Sequence, residues 1–105
     1  MIITTTPTIQ GQEIKEYLGM VNGEVILGIN FVKDFAASLT NIFGGRSISY
    51  EEELIQGRKK ALDEMRHRAQ QMGANAVVGI DIDYEVLGQG GNMMMIVVTG
   101  TAVII

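Results

Sequence analysis

The closing stretch MMMIVVTGTAVII, Met93 to Ile105, limits the possible folds more than any other part of the chain. Successive strand residues point to opposite faces of a sheet. As a strand, it sets Met94, Ile96, Val98, Ala102 and Ile104 on one face and Met93, Met95, Val97 and Val103 on the other. A strand apolar on both faces is usually covered on both. One helix layer covers only one of them, so the second cover is expected to be another subunit.

Composition points the same way. The chain has 105 residues, which makes residues 1–105 a single domain. Apolar residues make up 47% and charged residues 19%, against a usual charged share of about 25%. A domain this small has too little interior to hide so much apolar surface alone. A homo-oligomer is the expected outlet.

Charge and cysteine content exclude several functions. The net charge is −4. The longest basic run, Arg58-Lys59-Lys60, is flanked by acids on its own helix. Nucleic-acid binding needs a concentrated positive footprint, so no nucleic-acid partner is expected. The absence of cysteine removes disulfides, thiolate metal sites and cysteine nucleophiles together. Met1 to Pro7 lacks the basic start and apolar stretch of a signal peptide. The apolar run Met93 to Val98 is too short to span a bilayer. A soluble cytoplasmic protein without a membrane partner is expected.

Ile2 to Thr6 reads as a short strand ended by Pro7, which cannot donate to a ladder. Glu13 to Ile29 is extended, with Asn22-Gly23 at its centre signalling either a hairpin or a bulge. Asn30 caps a helix over Phe31 to Phe43, where Val32, Phe35, Ala36, Leu39, Ile42 and Phe43 share a face. Gly44 suits its C-terminal turn. A second helix starts near Ser49, with Glu52 completing a capping box, and Gly73 ends it. Its apolar stripe runs through Tyr50, Leu54, Gly57, Ala61, Met65 and Met72, continued by Leu62 and Ala69. Gly57 and Ala61 imply close approach to a neighbouring surface. Gln56, Lys59, Lys60, Asp63, Glu64 and His67 form the wet face.

In Asn75 to Val86, strict alternation sets Val78, Ile80, Ile82, Tyr84 and Val86 against Asp81, Asp83 and Glu85. Leu87 to Asn92 is a loop. The element order β, α, α, β, β fits an α+β two-layer sandwich.

Three blocks of the sequence, LGINFVKDFAASLTNIFGGRSISYEEEL, GANAVVGIDIDYE and the closing GTAV, together resemble the YbjQ-like family, small proteins that carry a heavy-metal-binding label. The likeness runs over nearly the whole chain. It implies a fold similar to the dodecin subunit: β-α-β-β, an antiparallel sheet packed on a long helix. It also implies a pentameric ring with short extra strands joining neighbours. The resemblance favours one long first strand, bent or bulged near Asn22-Gly23, over a hairpin. It gives Ile2 to Thr6 a use as an edge strand added to a neighbour.

Two sites are candidates. Gly44-Gly45-Arg46-Ser47 reads either as an anion nest beside a helix N-terminus or as a helix cap with a salt-bridging arginine. Three glutamates just downstream disfavour a phosphate, so a structural or interface role is expected. Asp81, Asp83 and Glu85 are the sharper set, alternate residues on one strand face about 7 Å apart. Their carboxylates suit a hard divalent metal such as calcium, magnesium or manganese. The plainer reading is a solvated face. In a ring, one acid per subunit becomes a circle of charge.

His67 is the single histidine, four residues from Asp63, and a lone imidazole makes a poor metal site. Of Met93, Met94 and Met95, only the first and third share a face, and packing is their simpler use. Ser47 and Ser49 have no histidine near in sequence, so a catalytic triad is not expected. The expected function is a binding or scaffold module that holds a small ligand or cation. The alternative is an enzyme with its site at a subunit interface, near Arg46, Tyr50 and the acids.

Overall fold

A computed structural model describes residues 1–28, 48–88 and 93–105, the side chains of 48–50 excepted. The expected helix over Phe31 to Phe43, the turn Gly44-Gly45-Arg46 and most of the loop before Met93 lie outside the described residues.

The long helix α1 (Ile48–Gln71) begins within a residue of the expected start. Gly57, Ala61, Met65 and Ala69 are buried along one stripe, while Gln56, Lys59, Lys60, Asp63, Glu64 and His67 are exposed. Gly73 ends it with φ near 89°. The Ala74 N–H donates to the Ala69 carbonyl at 3.1 Å and the Gly73 N–H to the Gln70 carbonyl at 3.0 Å. That pair of bonds is a Schellman cap, which needs a left-handed residue where this glycine stands.

Among the described residues, four strands form one sheet: β1 (Ile2–Ile3), β2 (Glu16–Leu27), β3 (Ala76–Leu87) and β4 (Met93–Ile104), in the order β1-β3-β4-β2. β4 pairs antiparallel with both β2 and β3, and β1 pairs parallel with β3. The fold is α+β, a mixed sheet packed against one long helix. The expected all-antiparallel sheet is corrected by β1. Its segment pairs with β3 of its own chain: the Thr4 N–H donates to the Val77 carbonyl at 3.0 Å and the Ile80 N–H to the Thr4 carbonyl at 3.1 Å.

β2 runs as one strand through Asn22-Gly23, so there is no hairpin there. Its irregularity falls between Tyr17 and Gly19 instead. Gly23 serves a different purpose. A Cβ built on it would run into the Ala61 carbonyl oxygen and come within 2.7 Å of the Met65 amide nitrogen. The helix backbone therefore rests directly on β2, and only glycine leaves it room.

A second register shift, between Val78 and Asp81, corrects the expected face of Val78. Gly79 there has φ near 64°. The extra residue of a bulge flips the faces that follow it. Val77, Ile80 and Ile82 consequently join the helix-side core with Val21, Ala61, Met65, Ile96, Val98 and Ala102. Val78 instead lies on the opposite face, with Ala76 and Val103. There the chain's own N-terminal segment covers it through Ile9 and Ile14. The second cover of the sheet is thus internal at one end.

Candidate functional site

The rest of that second face carries the candidate site. Past the bulge, Asp81, Asp83 and Glu85 all stand on it and all are exposed. Asp81 lies opposite Thr99, Asp83 opposite Val97 and Glu85 opposite Met95. From the other side, Asn22, Glu24 and Ile26 oppose the same three β4 residues. Each row of the face thus runs β2–β4–β3: Asn22–Thr99–Asp81, Glu24–Val97–Asp83 and Ile26–Met95–Glu85. The sequence pattern did bring the three acids to one face. It could not show that Glu24 would join them across Val97, because that follows from the β2 register.

Exposed apolar side chains border the acids. Met20 is 85% exposed and Ile26 58%. Both alternate with Val21 and Val25, which pack toward the helix. Met95 and Val97 are half-buried. Tyr84 and Val86, on the helix side of β3, are also exposed, because α1 lies over β2 and β4 and scarcely reaches β3.

The two acids flanking Val97 behave oppositely. Glu24 is held below its ordinary value, chiefly by its hydrogen bonds with Arg68 and further by that residue's charge. Arg68 Nη2 donates to Glu24 Oε1 at 2.9 Å, and Nη1 donates to Oε2 at 3.0 Å. Asp83 is pushed up. The Asp81 carboxyl beside it hydrogen-bonds the protonated form and repels the charged one, and Glu85 adds repulsion. One side of the face is a neutralised carboxylate; the other is a crowded pair with no ion-pair partner among the described residues.

Such crowding favours a cation without building a cage for one. Calcium takes six to eight oxygen ligands at about 2.3–2.6 Å. Among the described residues no three His, Cys, Asp or Glu side chains converge closely enough to hold a metal ion. A cation at Asp81 and Asp83 would need water or further carboxylates to complete its shell. His67 sits apart on the outer face of α1, where its Nε2 meets Gln71 Nε2 at 3.2 Å. Met93 is exposed and Met94 and Met95 are half-buried. No helix among the described residues is long and apolar enough to cross a membrane.

Comparison with known proteins places the chain among close relatives. The YbjQ_1 family model, described as "Putative heavy-metal-binding", matches residues 1–105. A UPF0145 protein of Acetivibrio thermocellus is 66% identical over 105 residues, covering 100% of this chain and 99% of that one. A UPF0145 protein of Clostridium kluyveri is 62% identical over 105 residues, with 100% and 99% covered. One from Listeria monocytogenes is 57% identical over 105 residues, with 100% and 96% covered. A crystal structure of a protein of unknown function from Pediococcus pentosaceus, assigned to the DUF74 family, is similar with a TM-score of 0.66. It is 19% identical, covering 100% of this chain and 97% of that one, so the likeness shows the fold alone. Matched over its full length, the chain belongs to the YbjQ_1 family, together with its UPF0145 relatives.

Proposed function

We propose that this protein is a non-enzymatic binding or scaffold subunit that holds a hard divalent cation on its open sheet face. Asp81 and Asp83 are the principal ligands, and Glu85, further along the same face, adds negative charge and is left to a ligand role between subunits. The observation that carries this reading is the placement of Asp81, Asp83 and Glu85 as alternate residues on one exposed face, a crowding that also disfavours the charged form of Asp83. A divalent cation relieves that repulsion, and the freed carboxylates bind it. Oxygen-only donors select magnesium, calcium or manganese over soft heavy metals. The family description thus narrows to hard cations in this chain.

The subunit is proposed to work as a homo-oligomer, a pentamer by family resemblance, with a dodecin-like arrangement of its main strands and helix. Support comes from the open face itself, where Met20 and Ile26 stay exposed beside the acids. A ring would bring acids of several subunits together and supply the ligands that one subunit lacks. Gly44, Gly45 and Arg46 are assigned to structure or to a subunit contact.

Equilibrium dialysis against manganese, magnesium and calcium tests the cation, and light scattering at micromolar concentration tests the assembly. Saturable binding to an oligomer, lost in Asp81→Asn/Asp83→Asn, is expected. A monomer that binds none of the three ions contradicts the proposal.

A further inference from the structure

β2 is an edge strand of twelve residues, and among the described residues no strand pairs with its outer side. Long open edges are templates for strand addition, and natural proteins blunt them with charged side chains. Here a residue from another element does so. Arg68 leaves the last turn of α1, and its Nη1 donates to the Asn22 backbone carbonyl at 3.0 Å. The same guanidinium grips both oxygens of Glu24 and meets Glu64 Oε1 at 3.1 Å. Asn22 Nδ2 adds a bond to Glu24 Oε2 at 2.8 Å.

The backbone geometry explains what this clasp covers. In an antiparallel strand the N–H and C=O of one residue point to the same side, alternating along the chain. The Asn22 carbonyl faces Arg68, so Met20, Asn22, Glu24 and Ile26 present the outward groups of the edge. An added strand would need the Asn22 carbonyl and would collide with the guanidinium lying across it. Tyr17, Met20 and Ile26 stay exposed along this strand, so a second copy of β2, offering the same apolar side chains, is the natural intruder. It could pair antiparallel with its twin about a twofold axis.

We propose that Arg68 is an edge guard, which blocks strand addition by a second copy of the chain along the middle of β2. Whatever assembly the protein forms is thereby confined to other surfaces: the open sheet face, the N-terminal segment or the far half of β3. This inference is independent of cation binding, since Glu24 is already neutralised by Arg68.

Sedimentation velocity and hydrogen exchange on Arg68→Ala test it. The variant should form species larger than those of the wild type at equal concentration. Exchange of the outward amides of Met20, Asn22, Glu24 and Ile26 should slow by about tenfold or more. Adding Asn22→Pro, which removes an outward N–H from the same edge, should restore the wild-type size. An unchanged size overturns the proposal. So does a larger species whose β2 amides still exchange fast, or one that Asn22→Pro leaves intact. Should Arg68→Ala fail to fold, Arg68→Lys is read by the same criteria, because one ammonium cannot hold the carbonyl and both carboxylates together.

Discussion

The two faces of the sheet obey different rules. On the helix side, Met65, Ile96 and Val98 are fully buried, and Gly23 lets the α1 backbone sit on β2. On the other side, the N-terminal segment covers only the end around Val78 and Val103, and the remainder mixes exposed Met20 and Ile26 with carboxylates. Where that face brings backbone against backbone, as at Gly23, it has little tolerance for change. A face left open beside crowded acids gives up stability, and binding is the function that can return it. On the proposal made above, the fold belongs to one side and the cation site to the other.

The sharpest way to break this contrast is at Gly23. Gly23→Ala forces a methyl group into helix backbone that cannot yield, and should cost upwards of about 3 kcal/mol in chemical denaturation. A loss below about 1 kcal/mol would mean that the helix does not rest there. Next comes Met65→Ala, which empties a fully buried site and should cost about 3 kcal/mol by the same measurement. Gly57→Ala should be far milder. Its Cβ would meet the flexible end of Ile96 at 2.8 Å, while helix propensity gains about 1 kcal/mol. The two effects should leave stability within about 1 kcal/mol of wild type. Smallest of all, Met20→Ala on the open face should change subunit stability by at most about 0.5 kcal/mol. If Met20→Ala instead weakens assembly in light scattering, the open face is the subunit contact.

Acid titration sharpens the same comparison between Glu24 and Asp83. Glu24 is depressed below its ordinary value near 4.5. Its stabilising contribution is therefore present above that value and lost as pH falls through its folded value. Asp83 is raised above its ordinary value near 3.8. Its contribution has the opposite sign, present below that value and lost as pH rises through its folded one. Asp83→Asn should accordingly raise metal-free stability at pH 7 and have little effect at about pH 3. Arg68→Ala should lower stability at pH 7 and matter less in acid. Melting curves at the two pH values decide both.

Much of this was legible in the sequence, for reasons of period. The stripe Gly57, Ala61, Met65, Ala69 and the alternation of β4 follow regular 3.6- and 2-residue repeats, and neither element is interrupted. Where a glycine breaks the period, reading failed. Strict alternation put Val78 with Ile80 and Ile82, and the bulge at Gly79 moved it to the other face. At Asn22-Gly23 the favoured single long strand holds, but the expected bulge lies at Tyr17–Gly19 instead, and Gly23 is there because helix packing leaves no room for a side chain. The acids were visible because alternation resumes after the bulge. Their partner across the sheet, Glu24, and its clasp by Arg68 were not visible. Residues 44 apart in sequence meet only once the helix is laid on β2.

The division between a folding face and a binding face is tested most directly by thermal unfolding of Asp81→Asn/Asp83→Asn/Glu85→Gln beside wild type, with and without manganese. Bound ion should raise the wild-type melting temperature by mass action. The triple variant should show no such response, and should melt without metal at or above the wild-type temperature. A variant that melts lower than wild type, together with a wild type indifferent to manganese, would contradict the account and make the three acids part of the fold.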